Sequence, residues 1–341
     1  MTSISPLNLR VFLQSRILPD KLHTMTKVMT TGEAVVLGLG LACGLTLAQS
    51  MQAQNKPARP AITGIAHLVV LDEDLAAAKH FYGDVIGWPA SAPLDPADAV
   101  HYQVGLKQYI EVKTAPSHNP PDRVELLALE TADVRALRAY LAANGVAVPS
   151  KVEHHANGSL SFDMTDPDGY RIEFTQGGKF SAPSSKAIST HIIHAGFTVH
   201  NVDAVKHFYL DVLGFRPYWH GWQSDAGHVE GMDDYMAVQV PDGSDWIEFM
   251  LSDGRNIPVG SPTHNPHHFA PGVASVAAAY AIVQQRDPAL AAKVHPQQGR
   301  DGKGQLNLFD PDHTRVEFMD FQPHEKPCCS DFTASSPQPQ P

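Results

Sequence analysis

The chain has 341 residues, with 36 acidic against 25 basic side chains and a formal charge of −11. At roughly 100–200 residues per domain, this length makes about two domains, each able to bury its own core. The acidic balance offers no electrostatic footprint for a phosphate backbone and excludes nucleic acid as a partner. Three cysteines cannot build a disulfide framework. The 19 histidines are an excess that can include metal ligands.

Residues 34–48 form an uncharged apolar run followed by Ala48-Gln49-Ser50, with Lys27 upstream. This is short for a membrane span and fits a secretory signal core, so export is expected and any membrane contact is confined to an uncleaved leader. Residues 1–60 are read as leader and linker. The Pro-, Ser- and Gln-rich residues 324–341 are read as a disordered tail in which Cys328 and Cys329 are inert.

Between these ends the elements recur. The aliphatic run from His67 predicts a strand, residues 72–82 a helix stopped near Gly87, and residues 100–104 and 109–113 two more strands. The order then repeats: a strand at 126–129, a helix over 132–144 closed by Gly145, and strands 160–164 and 170–175 around an Asp-Pro-Asp-Gly turn. The unit is β-α-β-β-β. Lys79-His-Phe-Tyr-Gly-Asp-Val-Ile-Gly-Trp88 reappears 127 positions on as Lys206-His-Phe-Tyr-Leu-Asp-Val-Leu-Gly-Phe215. Asp166-Pro-Asp-Gly-Tyr-Arg-Ile-Glu173 reappears 144 positions on as Asp310-Pro-Asp-His-Thr-Arg-Val-Glu317. Helices predicted over 202–212 and 273–285 complete a second pair of units, so four are present.

These blocks and turns resemble the vicinal oxygen chelate superfamily, which includes glyoxalase I, extradiol dioxygenases and bleomycin-resistance proteins. The resemblance implies an α+β fold: four βαβββ modules paired into two tandem domains, 61–178 and 189–323, each an open curled mixed sheet with outer helices. It also implies that metal ligands come from the first and last strands of each module. In the second copy those positions hold His194, Glu248, His268 and Glu317. His194 precedes Val202, and His268 precedes Val276, by the same eight residues. Two imidazoles and two carboxylates suit one divalent ion: Zn, Ni, Mn, Co or Fe(II). The first copy has His67, Glu111 and Glu173, but Leu126 stands where His268 stands, so its site reads as degenerate.

The resemblance leaves three functions open. A glyoxalase-I-like lyase or isomerase uses four protein ligands and a carboxylate base, here Glu317 first and Glu248 second. An extradiol dioxygenase uses Fe(II) held by two His and one Glu. Its usual Tyr about ten residues and His about nineteen residues before the final Glu are Asn307 and Gln298 here, which leaves ring cleavage without its proton donors. A resistance-type module binds a small molecule or metal without catalysis. Strand parity puts Trp246 on Glu248's face and Arg315 on Glu317's, with Tyr235 on the preceding strand, as pocket candidates. Arg171 stands at Arg315's place in the first copy, which favours a structural role for both. The partner is a small-molecule substrate, and the protein is a monomer or a homodimer.

Overall fold

A computed structural model describes residues 57–91, 98–116, 123–232, 234–251 and 267–340. Residues 1–56, with the expected export signal, lie outside the described residues. Among the described residues no helix is long and apolar enough to cross a membrane.

The first copy forms β1 (Ile62–Asp72), a helix α1 (Leu75–Ala78) that widens into a π-helical turn (Lys79–Val85), then β2 (Ala90–Ser91), β3 (Ala99–Gln103) and β4 (Tyr109–Thr114). Its second module is β5 (Val124–Thr131), α2 (Val134–Ala143), β6 (Glu153–His154), β7 (Leu160–Thr165) and β8 (Arg171–Gln176). The second copy repeats the plan. It has β9 (Ile192–Val199), α3 (Val202–Lys206) with its π turn (His207–Val212), β10 (Arg216–Trp222), β11 (Asp234–Gln239) and β12 (Trp246–Leu251). There follow β13 (His268–Val273), α4 (Val276–Arg286), α5 (Pro288–Ala291), β14 (Gln297–Gln298), β15 (Gly304–Phe309) and β16 (Arg315–Asp320). The four module helices start alike. Asp74, Asp133, Asn201 and Ser275 each accept a hydrogen bond from a first-turn backbone N–H, which satisfies donors the helix leaves open.

The result is two eight-stranded mixed sheets, ordered β2-β3-β4-β1-β5-β8-β7-β6 and β10-β11-β12-β9-β13-β16-β15-β14. In each, the first strand of a module pairs in parallel with its last, and the two first strands pair antiparallel. This is the tandem α+β architecture the repeats predict. Period-2 alternation divides the faces. Leu68, Val70, Ile110 and Leu127 of one sheet join Phe197, Val199, Ile247 and Phe318 of the other in one hydrophobic core. His67, His194, Glu248 and Glu317 point to the opposite, inner faces of their sheets.

The two copies also exchange hydrogen bonds at equivalent places. Tyr82 donates to Asp310 at 2.8 Å, and Tyr209 donates to Asp166 at 3.0 Å.

The tail does not match its expected disorder. Cys328 N–H donates to the Arg300 carbonyl at 2.9 Å, Thr333 N–H to Tyr218 at 3.0 Å, and Tyr218 and Ser336 hydroxyls meet at 2.7 Å. Phe332 packs on Tyr218 at 4.8 Å. Composition predicts disorder because a polar segment cannot build its own core. This segment instead completes hydrogen bonds along an existing sheet. Cys328 and Cys329 are joined to each other by a disulfide within this ordered segment.

Candidate metal centre

His194 is the third residue of β9 and His268 the first of the adjacent β13, while Glu248 and Glu317 sit within β12 and β16, which flank them. The strand order β12-β9-β13-β16 brings all four to the middle of the sheet. His194 and His268 are fully buried and Glu317 is 3 % exposed. His194 Nε2 lies 3.1 Å from His268 Nε2, which lies 3.4 Å from Glu248 Oε2 and 3.3 Å from Glu317 Oε2. The ligand atoms of His194, Glu248 and His268 all fall within 4.8 Å of one another.

These residues fit a divalent cation. Metal–ligand bonds of about 2.1 Å place neighbouring donors roughly 3.0–3.4 Å apart, which matches the distances from His268 Nε2 to the other three; His194, Glu248 and His268 form the mutually close triad, and Glu317 approaches it through His268. Two imidazole nitrogens face each other, and two carboxylates share a dry site where like charges repel unless a cation intervenes. Burial pushes Glu248 up to about 7, against the opposing charge of Arg315. Burial also raises Glu317, with Glu248 and Asp301 adding to it against Arg315 and His268. Burial holds His194 well below the usual imidazole range, and the charges of His268, Lys303 and Arg315 push the same way, which keeps it in the neutral form a metal requires.

The Trp246 ring lies tilted against His194 with centroids 3.9 Å apart and limits its rotation. Tyr235 lies on the same face, stacked on Trp219 at 6.3 Å, as part of an aromatic wall shared with Tyr218 and Trp246. Arg315 reaches the centre itself. Its Nη2 contacts the His268 ring and lies 3.6 Å from Glu317 Oε2. Two further neighbours carry no signal in the sequence. Lys303 is fully buried with its ammonium 5.7 Å from the Trp246 ring centre and 5.3 Å from that of Phe332. Gly196 leaves open the space that the His268 ring fills, since a Cβ there would come within 2.0 Å of it. The hydropathy of β9 carries no signal for Gly196, because its role depends on antiparallel register.

The first copy differs at each of these points. Leu126 occupies the place of His268 in an apolar patch with Ala66, Val69 and Ala128. Val69, the counterpart of Gly196, faces Leu126 across the strands. His67 Nε2 is 3.8 Å from Glu173 Oε1, but Glu111 is engaged by His101 and by Lys113 Nζ at 3.1 Å. Among the described residues only the second copy brings three ligand groups within 4.8 Å. Of the two dioxygenase landmarks, Asn307 pairs directly across from Glu317, and Gln298 is exposed on the edge strand β14.

The comparisons with known proteins agree with this architecture. The sequence profile of the Glyoxalase/Bleomycin resistance protein/Dioxygenase superfamily matches residues 64–174 and 191–318. The chain belongs to this superfamily. Among solved structures, it is similar to the Mn(II)-bound glyoxalase from Novosphingobium aromaticivorans, with TM-score 0.55 and 20 % identity over 76 % of this chain and 83 % of that one. It is also similar to a variant of homoprotocatechuate 2,3-dioxygenase from B. fuscum, with TM-score 0.58 and 20 % identity over 77 % and 72 %. A catechol 2,3-dioxygenase matches at TM-score 0.56 and 14 % identity, over 82 % and 94 %. No curated protein matches the sequence. At these identities the likeness establishes the fold and leaves the chemistry to the site.

Proposed function

We propose that the protein is a glyoxalase-I-like lyase or isomerase acting on a small carbonyl or oxyanion substrate held at a divalent metal in the second domain. The observation that carries this reading is the convergence of two imidazoles and two carboxylates from four equivalent strands, with His268 Nε2 within 3.4 Å of a donor from each of the other three. Four protein ligands suit a lyase or isomerase, whereas three suffice for a dioxygenase.

His194, Glu248, His268 and Glu317 would hold the ion, Zn, Ni, Mn, Co or Fe(II), with Trp246 limiting the rotation of His194. A bound cation of this kind polarises a substrate oxygen and acidifies the adjacent C–H. Glu317 takes the proton and returns it to the neighbouring carbon, with Glu248 as the second candidate. Burial raises both carboxyls, and a base poised nearer neutrality both accepts and releases a proton efficiently. The buried wall of Trp246 and Tyr218 would keep water from that side of the site. Ring cleavage is disfavoured because Asn307 and Gln298 supply no acid–base group where extradiol enzymes keep theirs. Export through the leader belongs to the same proposal, and it argues against a cytosolic thiol cofactor.

The test is metal analysis followed by two assays on the loaded protein. Proton exchange at the carbon next to a carbonyl, followed by NMR in D₂O with 2-oxoaldehydes and 2-hydroxycarbonyls, is the expected activity. Absence of bound metal would overturn the reading. Stoichiometric O₂ uptake with catechols under Fe(II) would replace it with the dioxygenase. Tight ligand binding without turnover would replace it with the binding module.

A further inference from the structure

The two copies hold the same arginine in opposite ways. In the first copy Arg171 is clamped by two carboxylates, Nη1 at 2.7 Å from Glu125 Oε1 and Nη2 at 2.8 Å from Asp163 Oδ2. Strand register places His267 at the position of Glu125, since Leu126 pairs with Arg171 as His268 pairs with Arg315. Register likewise places Asn307 at the position of Asp163, opposite Glu317 as Asp163 is opposite Glu173. Both clamping carboxylates are therefore missing from the second copy. His267 turns instead to the Tyr170 hydroxyl, 3.1 Å from its Nε2.

Released from this clamp, Arg315 turns to the metal centre. Its Nη2 contacts His268 Nδ1 and lies 3.0 Å from His268 Nε2 and 3.6 Å from Glu317 Oε2, while its buried Nε has no hydrogen-bond partner. The buried Oδ1 of Asn307 is also without one. A buried polar atom left unpaired carries a desolvation penalty that a ligand can remove. With Glu248 and Glu317 balancing a divalent ion, the guanidinium is a further positive charge at the site. A planar guanidinium favours paired hydrogen bonds to a carboxylate.

We propose that Arg315 is the anion-binding arm of the second-domain site, and that the substrate is a metal-chelating small molecule carrying a carboxylate beyond its chelating oxygens. This inference rests on the metal reading above and names the substrate class for it. The retention of an arginine in both copies then has two explanations: a structural clamp in the first and ligand recognition in the second.

The experiment compares two probes with one chelating group, acetohydroxamate and succinate monohydroxamate, on the full chain loaded with Mn(II). Calorimetry and water-proton relaxation read binding, and melting curves check folding. The wild type should bind the carboxylate-bearing probe about 10- to 100-fold more tightly, the range expected for a charge-assisted hydrogen bond. Arg315→Gln should bind both probes alike, Arg315→Lys should keep part of the preference, and Arg171→Gln should keep all of it, each with one Mn(II) per chain. Equal affinities in the wild type, or an undiminished preference in Arg315→Gln, overturn the proposal. Mn(II) binding to Arg315→Gln but not to the wild type also overturns it, by showing that the guanidinium takes the place of the cation. No Mn(II) binding to either chain refutes the metal reading itself, a distinguishable failure.

Discussion

Gly196→Ala tests whether the room that Gly196 leaves for the His268 ring sets the proposed metal centre. A Cβ at position 196 would lie 2.0 Å from His268 Cε1, 2.5 Å from Nδ1 and 2.6 Å from Nε2. Carbon atoms settle at about 3.5 Å, so the ring must retreat by roughly 1.5 Å. Metal sites tolerate ligand errors of about 0.2 Å. The ring cannot retreat freely, because it is fully buried with His194, Glu248 and Glu317 on its other sides. Errors in outer groups alone weaken metal sites by about 10- to 100-fold, and here a ligand itself is displaced. Affinity should fall at least about 100-fold, or about 2.7 kcal/mol, with an overpacking penalty of about 1–3 kcal/mol in stability. Competition against a chromophoric chelator measures the first quantity and thermal melting the second. A variant that binds metal within threefold of wild type and melts at the same temperature would refute the reasoning.

Three further outcomes are expected. His268→Ala should abolish metal uptake, measured by elemental analysis of the purified protein, while far-UV circular dichroism stays unchanged. The triple change Val69→Gly, Lys113→Met and Leu126→His gives the first copy the residues of the second at positions 196, 250 and 268, and should raise the stoichiometry to two ions per chain. Asp72→Asn should stabilise the protein by about 1–3 kcal/mol at pH 8. Burial, together with Asp310 and Asp312, pushes the Asp72 carboxyl up to about 10, so its penalty grows as pH rises from the unfolded value near 4 towards 10. The gap in melting temperature should therefore widen from pH 5 to pH 8. A gap that narrows would contradict the assignment, and the equivalent Val199 indicates that the fold needs no carboxylate there.

The fold was legible because the Lys-His-Phe-Tyr block and the Asp-Pro-Asp turn recur with their flanking periodicities intact. The positions of His194 and His268 were legible for a related reason, since each lies eight residues before an equivalent helical valine. What escaped depends on neighbours across strands. His101 reaches Glu111 only through the β3–β4 register, and Lys303 is buried by a tail whose composition reads as disorder. The match of Arg171 to Arg315 favours a structural role for both, but their partners differ at 125 against 267 and at 163 against 307, and that difference shows only in the strand register.

The exchanged bonds Tyr82–Asp310 and Tyr209–Asp166 have a consequence for how the duplicated halves can change. Each half supplies the acceptor for a buried tyrosine of the other, so neither can be deleted without leaving a polar group stranded in its sibling. A half bound in this way can lose its chemistry and still be retained as scaffold. The first copy, with Leu126 in place of a histidine, has the form such a history would leave: relieved of one duty, it remains indispensable for another.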